Sequence, residues 1–226
     1  MLLTTLFTLP LLILSSTPLT IPPRRLDTRI IANVTVPDTP IIRSAEAFAR
    51  RYSSDFVYKH IMRSWLFGVL LIRSNSTLLA TVDLEIHSVA TLLHDLGWDR
   101  TSDSAIVSPD RRFEVDGAIA AADFIRSHDQ ENGMWDERRV QLVWDAIALH
   151  TERSIAYFKE EVVRVVSRGI SLDFTGPGGT GVEEEAYDAV VREFPKEDLK
   201  AGVNETLVWL CQTKPATTYG EYLLSG

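Results

Sequence analysis

The stretch Glu85 to Trp98, EIHSVATLLHDLGW, constrains the fold of this chain more than any other. Ile86, Val89, Ala90, Leu92 and Leu93 make it mostly apolar, as in a helix buried on several sides rather than one lying on the surface. It nevertheless ends in two polar residues, His94 and Asp95. Neighbours on a helix point about 100° apart, so the pair does not converge by default. The longer imidazole has to lean across, and Gly97 is placed to stop the helix just beyond. A buried imidazole and a buried carboxylate both need partners, because leaving either unpaired is costly. Loop backbone at a helix C-terminus would serve; a divalent cation would satisfy both at once.

The 226 residues are 45% hydrophobic and 24% charged, the balance of one globular domain with a sizeable core. A net charge of −8 without any cluster of Lys and Arg excludes nucleic acid as a partner and argues against an anionic membrane surface. Cys211 is the only cysteine, so no internal disulfide forms, and its neighbours Val208, Trp209 and Leu210 suggest a core thiol. Residues 1–20 read as a secretory signal with an apolar run from Leu2 to Leu14, although Lys and Arg are missing before it and no A-x-A site follows. Pro10 and Pro18 interrupt the run, which is too short for a comfortable membrane span. Sequons at Asn33, Asn75 and Asn204 suit the same route, so the expected location is extracellular, with the cytoplasm as the alternative.

Residues 21–42 form an extended arm, with Pro37 and Pro40 blocking any long helix, and 43–226 form the domain proper. Capping residues and apolar periodicity predict helices from Ser44 to Tyr52, Asp55 to Ile72, Leu79 to Leu96, Phe113 to Ser127 and Asp136 to His150. Further helices are predicted from Ser154 to Arg168, closed by Gly169, then Glu183 to Phe194 and Glu197 to Gln212. No strand run stands out, so the fold class is all-α. The glycine-rich segment Gly176 to Gly181 lacks the Lys and Ser/Thr spacing of a phosphate loop. His60 lies on an apolar helix face with Phe56 and Phe67, where a histidine is ordinarily a satisfied core residue. His87, flanked by Asp83 and Glu85, reads as part of a solvated helix end.

The order His60, then His94-Asp95, then a later Asp resembles the HD-domain metalloenzyme superfamily, whose pattern is H…HD…D. The surrounding residues are similar to fungal cyanamide hydratase-like proteins. They are Tyr58-x-His60-x-x-Arg63-x-Trp65-x-Phe67-Gly68, Ala90 to Trp98, Arg112-Phe113-Glu114-x-x-Gly117-Ala118, Ala146 to His150, and Gly169-Ile170-x-Leu172-Asp173-Phe174-x-Gly176. The resemblance implies a single HD-domain helical bundle holding Zn²⁺, or alternatively Fe²⁺, on His60, His94, Asp95 and a closing aspartate. Asp145 and Asp173 compete for that last place; Asp173 is favoured by its D-F-x-G setting. It also implies Glu114 and His150 as catalytic proton carriers, and Arg63, Trp65, Phe67, Trp98 and Phe174 as the walls of a substrate pocket.

The reaction implied is addition of a metal-activated hydroxide to the nitrile carbon of cyanamide, giving urea. Phosphomonoester hydrolysis is the enzymatic alternative, with Arg63, Lys59 or Arg126 lining the pocket to hold phosphate. A secreted binding protein with a closed, purely structural metal site is the non-enzymatic one. The expected partner is a small molecule, with no nucleic acid, no membrane once the leader is removed, and a homo-oligomer left open.

Overall fold

A computed structural model describes residues 26–129, 133–196 and 198–217. The predicted leader and the start of the arm lie outside the described residues. The rest of the arm is an antiparallel hairpin, β1 (Thr28–Ile31) against β2 (Val34–Pro37), with Ile31 opposite Val34. Ala32 and Asn33, at φ 47° and 63°, make its two-residue turn, the geometry that matches strand twist. Strands of four residues are too short to show in the sequence pattern, yet Val34 and Val36 face inward and join the core. Pro40 does not block the next helix; it occupies the first turn of α1 (Pro40–Arg51), where its missing N–H costs nothing.

Helix α2 (Asp55–Arg73) runs through the centre, with every residue from His60 to Val69 buried. The single helix expected from Leu79 to Leu96 is instead two, α3 (Ser76–Thr81) and α4 (Leu84–Leu93). Asp83 breaks them by capping α4, accepting from the Glu85 and Ile86 N–H groups at 2.9 and 3.1 Å. Around these stand α5 (Phe113–His128), α6 (Glu137–Ala148), the one-turn α7 (Arg153–Ala156), α8 (Glu161–Thr175), α9 (Glu184–Glu193) and α10 (Leu199–Thr213). The described residues are thus all-α apart from the hairpin. None of their helices is long and apolar enough to cross a membrane.

Gly169 does not end a helix. It lies inside α8, where a Cβ would come within 2.9 Å of Gly68 Cα and the Ser64 carbonyl oxygen on α2. This contact draws α2 and α8 together, and α8 stops only at Gly176, whose φ of 78° favours glycine. Asp173 is therefore in the last helical turn rather than in a loop. Gly68 has a second role: a Cβ there would sit 2.1 Å from His87 Nε2. His87 is fully buried at this crossing instead of solvated, while Asp83 caps the helix and Glu85 pairs with Arg139 at 2.8 Å. Cys211 is exposed rather than in the core, because α10 lies at the edge and turns that position outward. Asn33, Asn75 and Asn204 are all exposed, the last of them mid-helix in α10.

Burial pushes His87 down to about 3, and its Nδ1 has no hydrogen-bond partner. The folded value lies below that of the unfolded chain, so the unfolded state binds the extra proton and stability falls as pH drops below about 6.5. Urea unfolding of wild type and His87→Leu between about pH 8 and pH 4.5 should show the wild type losing up to about 1.4 kcal/mol per pH unit relative to the variant. Parallel profiles would remove His87 from that role.

Candidate metal centre

Helix α4 ends at the pair that the sequence singles out. His94 caps it, still near helical geometry, and Asp95 departs to φ −103°, ψ 20° at the entry to a short 3-10 turn, Leu96–Trp98. This change of direction lets adjacent side chains converge. Gly97 contributes by close approach, since a Cβ there would lie 2.0 Å from the Phe113 carbonyl oxygen at the start of α5. His60 arrives from α2. His60, His94 and Asp95 each offer a ligand atom, all within 4.8 Å of one another, and all three residues are buried.

The hydrogen bonds fix the ring orientations. His94 Nδ1 faces the Thr91 carbonyl at 2.7 Å, His150 Nδ1 faces the Ile147 carbonyl at 2.7 Å, and His60 Nδ1 faces Asp173 Oδ2 at 2.7 Å. Carbonyls and a carboxylate only accept, so each Nδ1 carries a proton, and each ring turns its Nε2 toward Asp95. The Nε2 atoms of His94, His60 and His150 stand 3.2, 3.7 and 3.7 Å from Asp95 oxygens. Neither Asp95 oxygen has a hydrogen-bond partner. A buried carboxylate ringed by imidazole nitrogens needs a positive charge among them, which a proton or a metal ion can supply, and N and O donors of this kind suit a divalent transition metal.

Titration directions report the same demand. Burial opposes charge on His94, yet Asp95 beside it and the Thr91 carbonyl hold it above the ordinary histidine value. Burial likewise opposes the Asp95 carboxylate, and the imidazoles around it, His94 foremost, hold it below the ordinary range. Burial, then the nearby His94, pushes His150 down to about 4, so its ring is neutral at pH 7.

Asp173 stands behind His60 and is absent from the converging group. Its two oxygens accept from His60, from Arg63 Nε at 2.7 Å and Nη2 at 2.8 Å, and pair with Lys196 Nζ at 3.2 Å. Burial alone would raise its pKa, but the hydrogen bonds from His60 and Arg63 hold it far below the usual range. Asp145, the competing candidate, pairs with Lys159 at 2.8 Å on the far side of α6. Glu114 is buried and accepts from Arg112 at 2.5 Å and from the Thr151 hydroxyl at 2.6 Å. Burial opposes its ionisation, but those bonds win and keep it a carboxylate.

A cavity of about 230 Å³ opens beside the centre, lined by His60, Asp95, His150 and Thr151 and by apolar side chains that include Trp98 and Phe174. Three residues expected in its walls are elsewhere. Arg63 is consumed by Asp173 and by the Phe194 and Pro195 carbonyls. Trp65 is in the core with its indole N–H on Ser88 Oγ at 2.9 Å, and Phe67 stacks on Tyr187 at 4.4 Å. Both sit on α2 turned away from the pocket, a difference that helical spacing without neighbours does not resolve. Sequence reasoning missed Thr151, Phe113 and Lys196. Thr151 directly follows His150 and Phe113 precedes Glu114, so chain adjacency was the available signal for those two; nothing local marks Lys196.

A family model for the HD domain matches residues 57–192, more than half of the chain and from the helix of His60 to the end of α9. The chain belongs to the HD-domain family. Comparison with curated proteins finds no match. Members of this family are typically metal-dependent hydrolases, among them phosphohydrolases, and the His-His-Asp cluster fits that chemistry.

Removing the carboxylate behind His60 should loosen the metal without deleting a ligand. Asp173→Asn is expected to weaken metal binding about 10- to 100-fold, as measured by competition with a chelator. Arg63→Leu, which strands the buried Asp173 charge, should destabilise the fold by about 3–5 kcal/mol. Unchanged metal affinity in Asp173→Asn would remove it from the support of the site.

Proposed function

We propose that this HD domain hydrates or hydrolyses a small, neutral nitrile- or amide-like group, with cyanamide to urea as the simplest case. His60, His94 and Asp95 hold the metal, His150 Nε2 supplies a fourth donor, and Asp173 orients His60. Zn²⁺ or Fe²⁺ suits this donor set. Such a cation acidifies a coordinated water toward neutrality and polarises a substrate atom placed beside it.

The observation carrying the choice of substrate is the fate of the cations. A phosphate needs several fixed positive groups, but Arg63 is committed to Asp173, Lys59 pairs with Asp55 at 2.9 Å, and Arg126 pairs with Glu137 at 2.9 Å. None of the three lines the cavity. The walls of the cavity around the candidate ligands are mostly apolar, which suits a neutral reacting group.

Thr151 and Glu114 handle the proton. As the water oxygen bonds to the nitrile carbon, its proton passes to Thr151 Oγ while the Thr151 proton passes to Glu114. The reverse transfer puts a proton on the nitrile nitrogen, and the resulting imidic acid tautomerises to the amide, urea when the substrate is cyanamide. Arg112 keeps Glu114 ionised and ready to accept. Trp98, buried beside the centre, limits the approach of bulk water.

Elemental analysis of purified wild type and His94→Ala, with a cyanamide-to-urea assay, tests the reading. About one metal per chain is expected in the wild type and none in the variant. Thr151→Val should keep its metal and lose about 10²-fold or more in turnover, the usual weight of a proton-transfer group. A metal-loaded protein inert toward nitriles and amides but active on phosphomonoesters would overturn the choice of reaction.

A further inference from the structure

The cavity is too large for cyanamide alone. Three heavy atoms, each taken as a water of roughly 30 Å³, leave more than half of its approximately 230 Å³ empty. The surplus space is apolar, walled by Trp98, Phe113, Ile170, Phe174, Val203 and Leu207. Phe174 and Leu207 keep 55% and 46% of their surface exposed, so a ligand with an apolar body would cover surface that now faces water.

Among the described residues, one permanently charged cation lines this cavity: Arg153. It opens α7, three residues after His150 and two after Thr151, so the turn that places those two side chains also places it. Neighbouring arginines are committed, Arg63 to Asp173, Arg112 to Glu114 and Arg164 to Glu161. The Arg153 guanidinium has no hydrogen bond or ion pair with any described residue; only its backbone carbonyl is engaged, accepting from the Tyr157 N–H. Asp95, itself one of the candidate metal ligands, is the only carboxylate in the lining among the described residues. In a chain of net charge −8, this leaves an unmatched guanidinium at an apolar cavity.

We propose that the ligand of this site is an amphipathic carboxylate. Its reacting nitrile or amide lies at the metal centre, its apolar body lies against Trp98 and Phe174, and its terminal carboxylate is held by Arg153. The reacting head rests on the reaction proposed above; the body and the tail rest on the cavity. A single guanidinium fork matches a planar carboxylate bidentately, whereas a phosphate dianion calls for more donors. Of the hydroxyls in the lining, Thr151 is spent on Glu114 and Ser167 on the His150 carbonyl, which leaves Ser171 alone, too few donors beside one guanidinium for a phosphate dianion.

Calorimetric titration of the purified, metal-loaded protein with 3-phenylpropanoate, its neutral amide 3-phenylpropanamide, and phenyl phosphate tests this in wild type, Arg153→Gln and Arg153→Lys. Any carboxylate contact with the metal is common to all three proteins, so the change between them isolates Arg153. The carboxylate-to-amide affinity ratio should fall about fivefold in Arg153→Gln, with the amide unchanged and the lysine variant in between. An unchanged ratio, or an equal loss for both probes, would overturn the proposal. So would a larger Arg153-dependent gain for phenyl phosphate than for the carboxylate. The ratios need no turnover. Their presence in a protein inert toward nitriles and amides would sink the reaction and leave the ligand class standing. Cyanamide turnover with ratios insensitive to Arg153 would do the reverse.

Discussion

The Asp95 carboxylate, buried with neither oxygen hydrogen-bonded and faced by three imidazole nitrogens, sets the terms for the structure around it. Such a group is stable in an apolar interior only if positive charge is delivered to it. An acceptor behind each histidine fixes its orientation: the Thr91 carbonyl, the Ile147 carbonyl and the Asp173 carboxylate all hold Nδ1–H and turn Nε2 toward Asp95. The fold therefore builds a donor set and withholds the hydrogen bonds that would otherwise quench it.

Holding that set in place requires helices closer together than ordinary side chains allow. Gly169 on α8 meets Gly68 and Ser64 on α2, and Gly97 meets the backbone of Phe113. The first contact brings Asp173 up behind His60, and the second sets Phe113 at the cavity next to Trp98, with ring centroids 5.5 Å apart. Arg63 then ties both helices to the turn before α10 through the Phe194 and Pro195 carbonyls. A residue that looks like a substrate-binding cation is in this way a structural one, and among the described residues the cavity is left with Arg153 as its only permanent cation.

Much of this was legible in the sequence, for identifiable reasons. The apolar run ending in His94 and Asp95 announced a buried helix with a polar terminus, and the His60 spacing placed that residue on an inward face. The all-α class and most helix bounds followed from capping and periodicity. What remained hidden depends on contacts between distant elements. Gly169 looks like a helix stop because a glycine needed for close approach has the same local signature as one needed for a turn. Asp173 reads as a metal ligand until Arg63 and His60 are seen to occupy its oxygens. Trp65 and Phe67 lie on the helix of His60, but which face meets the cavity is decided by α8 and α9. His87 reads as solvated because its polar neighbours are a cap, Asp83, and one half of an ion pair, Glu85, whose partner Arg139 comes from the distant α6.

X-ray absorption at the edge of the bound metal tests the central claim most directly, because it reports donor type without reference to any reaction. The arrangement around Asp95 predicts N/O donors with imidazole scattering from three histidines, reduced in His150→Gln and abolished with metal binding in His94→Ala. Sulfur scattering, or a spectrum unchanged by either substitution, would contradict it.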